Sequence, residues 1–316
     1  MIKTQKLGIP YMGSKRNLAH KIVDKIIEDN PDAEYFYDLF GGGGAVALEA
    51  LSRDQFKGVY YNEFNTGITK LMEDIRDNGI SDYYYNWVSR EEFFKNLGQP
   101  TVLGGLMVAM WSFGNDGKSY LYGKKVEGIK HIAHKIVVDK DLEAIDEFNT
   151  YYNGLSLDFD KDIDADTINE RRLNFGRYVR CNKLNKIQQL EHLTRLNKLK
   201  QLDRIQHLGR LNSLKKLNGI QGLNISNLSY DEIPIKTPID KTVIYLDPPY
   251  EGTQKYQNAI DFNKLKDWIV NNKYKCYKSE YSCDYMTEVM SMEHRSKLCA
   301  TANNKVSEKL YTNKEK

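Results

Sequence analysis

"EYFYDLFGGGGAVALEALSRDQFKGVYYNE", residues 34–63, decides the fold. EYFYDLF (34–40) is aromatic-rich and strand-like, and four glycines (41–44) stop it. AVALEALSR (45–53) carries Ala, Val and Leu at helical spacing, and GVYYNE (58–63) reads as a second strand. Strand, glycine loop, helix, strand is a βαβ unit, the opening of a parallel α/β sheet. Glycines after a strand and before a helix let a ligand approach the backbone at the helix N-terminus. Glu63, at the end of the second strand, is placed to accept hydrogen bonds from a ribose diol. There is no GK[ST] for a triphosphate, and the spacing fits GxGxxG poorly. Taken alone, the loop is either a cofactor site or a tight structural turn.

The matching half of the sheet lies far downstream. KTVIYLDPPY (241–250) is a buried-strand run stopped by Pro248-Pro249; KLKDWIV (264–270) reads as a helix and YKCYKSEY (274–281) as a further strand. Ligands of open α/β sheets bind at the carboxyl edge, where Asp247, Pro248, Pro249 and Tyr250 stand. A planar amino group could donate one hydrogen to the Asp247 carboxylate and one to the Pro248 carbonyl, with Tyr250 stacked on its ring. About 180 residues separate the halves, far more than a crossover needs. The organisation expected is therefore 1–75 as the first half of the sheet domain, 76–183 as an inserted region, 184–223 as a leucine tract, and 224–316 as the second half.

Composition adds limits. The 316 residues are 41% hydrophobic and 28% charged, as in a globular protein, and no stretch approaches the ~20 apolar residues of a membrane span. The N-terminus has no apolar signal core, so a cytoplasmic location is expected. Cys181, Cys276, Cys283 and Cys299 form no CxxC, and they read as reduced thiols and not as a zinc site. The net charge is +3, yet residues 183–217 carry nine Lys/Arg against two acids, +7, leaving −4 elsewhere. Concentrated basic charge is the first footprint of nucleic-acid binding.

Together these residues resemble the Dam-like, D12 class of N6-adenine DNA methyltransferases. PYMGSKRNLAHKI (10–22) resembles the family's opening W/Y-x-G-G-K segment, with Tyr11 and Lys15 on the aromatic and the lysine. FYDLFGGGGAVALEA resembles its F-x-G-x-G cofactor loop, with Asp38, Phe40, Gly42 and Gly44 on the matching positions. YYNEFN resembles the ribose-holding acidic motif, on Glu63, and YLDPPY the catalytic motif. YKSEYS (277–282) and EKLYTNK (308–314) resemble late strands of phage-type members. The likeness covers about 10–75 and 225–314. It departs at Ser14, where a glycine is usual, and at Gly41, where a larger residue is commoner.

The resemblance implies a Rossmann-like S-adenosylmethionine-dependent methyltransferase sheet, interrupted by a target-recognition region and the leucine tract. It implies double-stranded DNA as partner and S-adenosyl-L-methionine as cofactor, held by Tyr11, Lys15, Asp38, Phe40, Gly42, Gly44, Glu63 and Asp247. Asp247, Pro248, Pro249 and Tyr250 would carry direct methyl transfer to a flipped-out adenine, with no metal and no covalent intermediate. The setting implied is a bacterial cell or phage-infected host, with restriction-modification or epigenetic use. A monomer suffices for that chemistry. Two rivals are a non-catalytic adaptor docking a partner through the leucine tract, and a relative acting on cytosine N4 or RNA.

Within the middle region, Arg171, Arg172, Arg177 and Arg180 are the expected phosphate or guanine contacts, against the reading of a solvated basic helix. WSFGNDGKSYLYGK (111–124) suits either a loop touching DNA or a Gly-rich hairpin. DFDKDID (158–164) opens like a calcium loop, but position six is Ile163 and position twelve Asn169, which favours a solvated acidic loop. His131 and His134 lack a third ligand nearby. The tract itself has Leu or Ile at every third position from Leu184 to Leu223. On an α-helix such a row drifts by about 60° per step, so one straight helix would expose leucines on several faces and a solenoid would bury one row. A basic spacer or DNA-tracking arm is the role expected.

Overall fold

The computed structural model describes residues 7–152, 156–186, 205–214, 217, 219–250, 260–295 and 305–314. Its centre is a seven-stranded sheet: β1 (Tyr35–Asp38), β2 (Gly58–Asn62), β3 (Leu223–Ser226), β4 (Thr242–Leu246), β5 (Lys275–Glu280), β6 (Thr287–Arg295) and β7 (Lys305–Thr312). The strand order is β3-β2-β1-β4-β5-β7-β6. The first five strands run parallel, and β7 runs antiparallel between β5 and β6. This is the Rossmann-like arrangement expected from the two sequence halves. Strand order reverses between β1 and β4, so the carboxyl ends of those strands frame the crevice where such sheets bind ligands.

Alternation along each strand separates two apolar layers. Phe36, Val59, Tyr245 and Tyr277 face one layer, and Tyr37, Leu39, Ile244, Leu246 and Cys276 face the other. Three helices cover the first face: α1 (Ala19–Asp29), α2 (Ala45–Leu51) and α3 (Thr66–Asn78). In α1, Ile22, Val23 and Ile26 are fully buried at helical spacing. Asn65 caps α3 by accepting from the Ile68 N–H. The second face is covered by the helix Phe262–Val270, through Leu265 and Ile269.

Residues 79–222 leave the sheet after α3 and return as β3. Their described part is helical, with segments Arg90–Asn96, Val102–Leu106, Lys124–His134, Leu142–Tyr151, Ile168–Lys186 and Gln206–Leu214. Among its described residues the insertion has no core of its own: Phe93, Trp111, Phe148 and Phe175 share one buried cluster with Phe36 and Tyr245 of the sheet. The join is a backbone-to-backbone contact. A Cβ on Gly105 would lie 2.1 Å from the Gly67 carbonyl oxygen, so only glycine lets the Val102–Leu106 helix reach α3.

Residues 187–204 of the leucine tract lie outside the described residues. At its described end, Ile205, Leu208, Leu211, Leu214, Leu217, Ile220 and Leu223 are all buried. That row runs through a helix (Gln206–Leu214), a single 3₁₀ turn (Ile220–Gly222) and the first residue of β3. It is therefore neither a continuous helix nor a solenoid, and this end is core and not spacer. A change of element every few residues keeps a period of three facing inward where one helix would rotate it away. Among the polar residues between the leucines, His207 is fully buried and Arg210 half-buried. Arg210 donates to the Met110 and Ser112 carbonyls, at 2.9 and 2.7 Å. His207 Nδ1 lies 2.7 Å from the Tyr122 hydroxyl and its Nε2 lies 2.9 Å from His134 Nδ1. Burial, and then the neighbouring His131, push His134 down to about 3, so it is neutral at physiological pH. No helix among the described residues is long and apolar enough to cross a membrane.

Candidate active site

The N-terminal segment reaches the crevice by pairing with the glycine loop. Ile9 N–H donates to the Gly43 carbonyl at 2.8 Å, which sets the Tyr11 ring against Gly42. Six residues after Ile9, Lys15 is buried at the carboxyl end of β4. Its Nζ lies 2.7 Å from Asp247 Oδ1 and 3.1 Å from Glu308 Oε1. Lys15 Nζ also donates to the Tyr250 hydroxyl at 3.0 Å, and that hydroxyl donates to Glu308 Oε1 at 2.8 Å. The Tyr250 ring packs against Tyr281, with centroids 4.5 Å apart.

Electrostatics follow from burial. Desolvation pushes Asp247 up to about 6; Lys15 opposes this, and Glu308 and Glu280 add to it. Lys15 is desolvated too, but Asp247, Tyr245, Glu308 and Tyr250 outweigh that and raise it well above the usual lysine value. The lysine is a permanent cation holding a carboxylate in its ionised form.

On the β1–β2 side, Glu63 Oε2 accepts from Gly42 N–H at 2.7 Å and Oε1 from Asn65 N–H at 2.8 Å. Tyr11 also hydrogen-bonds this carboxylate. Asp38 is buried at the end of β1; one oxygen accepts from Ala47 N–H at 3.2 Å and the other, Oδ1, has no partner. Burial, then the nearby Asp247, raise the Asp38 pKa. The expected cofactor residues Tyr11, Gly42 and Glu63 thus meet directly, Gly44 ends the loop at the head of α2, and Lys15 joins Asp247. Phe40 turns to the opposite layer and stacks on Tyr230 at 5.5 Å. Gly41 departs from the commoner larger residue because Tyr61 takes the space: a Cβ there would sit 2.1 Å from the Tyr61 ring, whose hydroxyl donates to the Gly42 carbonyl.

The family model for the D12 class N6 adenine-specific DNA methyltransferases matches residues 11–316, nearly the whole chain. The chain belongs to that family. It is an enzyme family, and its activity is methylation of adenine in DNA. No curated protein matches the chain in a search by similarity.

For a D12 methyltransferase, the insertion is where DNA contacts were expected, and the four arginines divide. Arg171 is withdrawn from that role: it is buried, and its guanidinium donates to the Val137 and Ala165 carbonyls at 2.7 and 3.0 Å. Arg172 is half-buried against Gly209 and donates to Asn169. Arg177 and Arg180 are exposed, three residues apart on the same helix face. The 111–124 stretch is a tight turn closed by a bridge between Ser112 and Tyr120, with Trp111 buried and Phe113 exposed. In the acidic segment, Asp158 accepts from Lys161 N–H and Asp162 from Asp158 N–H, which is local turn capping. Glu308 is the site residue that sequence reasoning passed over. Its signal was an acid in phase with Leu310 on the buried face of β7.

Proposed function

We propose that this D12 methyltransferase transfers a methyl group from S-adenosyl-L-methionine to N6 of an adenine flipped out of double-stranded DNA. The observation carrying this reading is the Asp247 carboxylate, held by Lys15 at the strand-order reversal, across the crevice from the glycine loop. The donor set suits the cofactor. Its ammonium and ribose diol are hydrogen-bond donors, and the crevice supplies the unpartnered Asp38 Oδ1 and the Glu63 carboxylate. Tyr11 and the glycine loop would wall it. When bound, S-adenosylmethionine supplies an activated methyl group on a sulfonium, so no enzyme nucleophile is required. Asp247 would accept one adenine N6 hydrogen and the Pro248 carbonyl the other, raising electron density on the nitrogen and fixing its direction. Pro249 stiffens the backbone, and Tyr250 offers an aromatic face to the base.

The test is direct. Incubating the protein with methyl-labelled cofactor and duplex DNA, followed by nucleoside analysis, is expected to give labelled N6-methyladenine. Label in N4-methylcytosine, or in RNA alone, would replace this reading with one of its rivals.

Two further outcomes bear on it. Gly41→Ala is expected to weaken S-adenosylmethionine binding about tenfold, since the Tyr61 ring must move and take the loop with it. Adding Tyr61→Ala should restore much of that affinity by calorimetry. For DNA, residues 76–183 would carry target recognition, with Arg177 and Arg180 on phosphates. Replacing both by alanine should weaken binding to all sequences alike and reduce the slope of log affinity against log salt by up to about 1.8. Fluorescence anisotropy at several salt concentrations measures this.

A further inference from the structure

Glu308 has no part in the reading above, yet it is a buried carboxylate on β7 at the far edge of the catalytic cluster. We infer that Glu308 is a positioning residue that fixes Lys15 and Tyr250 and, through its charge, sets the pH at which Asp247 becomes competent. This rests on the methyltransferase reading and extends it to a residue outside the DPPY motif.

The geometry is a closed ring of contacts. Lys15 Nζ bridges Asp247 Oδ1 and Glu308 Oε1, at 2.7 and 3.1 Å, and Tyr250 hydroxyl spans Lys15 and Glu308, at 3.0 and 2.8 Å. A lysine stem is long and rotamer-rich, so one carboxylate alone fixes its head poorly; a second acceptor on the opposite side removes that freedom. Tyr250 is likewise anchored at its hydroxyl, which orients the ring. β7 is well placed to supply this anchor, because it lies antiparallel beside β5 in the middle of the sheet's second half. Glu308 has a relative exposure of 3%, so its charge acts on Asp247 with little screening by water.

The second consequence is electrostatic. The charged groups facing Asp247 are Lys15 from the N-terminal segment, Glu308 from β7, Glu280 from the end of β5 and Asp38 from the end of β1, and the phenols of Tyr245, Tyr250 and Tyr281 also face it. Lys15 favours the ionised carboxylate, and the three acids oppose it. Neutralising Glu308 removes one opposing charge while leaving Lys15 in place. Asp247 then ionises at lower pH. The acid limb of the rate profile therefore moves down, whereas a purely structural residue would lower the rate without moving that limb.

The experiment compares Glu308→Gln and Glu308→Asp with the unaltered protein by pH profiles of kcat/KM for labelled methyl transfer to duplex DNA. Glu308→Gln keeps an oxygen acceptor but loses the charge, and its acid limb is expected to fall by about one pH unit. Glu308→Asp keeps the charge but shortens the reach, so the limb should stay in place while kcat drops about tenfold through loss of Lys15 and Tyr250 alignment. An unmoved or raised limb in Glu308→Gln overturns the inference. Carboxyl titration of aspartate-¹³C-labelled protein by NMR reads the same downward shift of Asp247 with no substrate present. If those titrations shift as expected while the unaltered protein methylates nothing, the methyltransferase reading fails and the Glu308 assignment stands. Thermal unfolding of both variants identifies any that fail to fold; where Glu308→Gln fails, Glu308→Asn takes its place in the carboxyl titration, and an unmoved Asp247 again overturns the inference.

Discussion

Asp247→Asn is expected to reduce methyl transfer by about three orders of magnitude while leaving S-adenosylmethionine affinity within a few fold. Asparagine preserves the shape but offers a neutral amide where the carboxylate accepts an amino hydrogen. The loss should fall on kcat, since the carboxylate acts on the nitrogen as it becomes the nucleophile, and positioning alone survives. Lys15 would keep Glu308 and the Tyr250 hydroxyl as partners, so the site should not collapse. Single-turnover transfer with saturating DNA and cofactor measures the step, and a rate within tenfold of the unaltered protein would remove Asp247 from the chemistry.

Lys15→Met should produce a different signature. The buried Asp247 stands at about 6 with Lys15 beside it, and Lys15 is the charge that lowers it. Removing the cation should move the acid limb up by about two pH units. Activity at pH 7 then falls roughly tenfold, and much of it returns near pH 9 as the carboxylate ionises unaided. A loss of the same size at every pH would mean that Lys15 acts by shape alone. The same raised value has a stability consequence of opposite sense. The folded protein holds the Asp247 proton more tightly than the unfolded chain does, the ordinary value being 3.8. Its contribution to stability is therefore complete below about pH 4 and is lost as pH rises through about 6. Competence for catalysis and maximal local stability lie on opposite sides of that titration.

The parts of the fold legible in the sequence are those whose pattern is local. β1, α2 and β2 follow from one thirty-residue stretch, and β4 from an uninterrupted apolar run. The DPPY and glycine-loop residues were legible because strand ends in a parallel sheet share one edge. β3 was not: four residues, Leu-Asn-Ile-Ser, close a leucine repeat and become a strand only by pairing with β2. β6 was missed for a similar reason, since its nine residues mix charges and methionines and owe their conformation to β7. Arg171 looked like a surface cation because its four-arginine neighbourhood is basic. Its burial depends on two carbonyls, Val137 and Ala165, that the chain brings to it from other segments. Glu308 was hidden in the same way, 293 positions from the lysine it holds.

The pairing of β2 with β3 joins residues 59–62 to 223–226 across the whole insertion. That strand pair is a loop closure of about 160 residues, and closure entropy grows only with the logarithm of length. Deleting all of 187–204 would change that entropy by only about 0.1 kcal/mol. Closure entropy therefore sets almost no limit on the length of this part of the tract, whereas the row from Ile205 to Leu223 is fixed in register by its burial in the core.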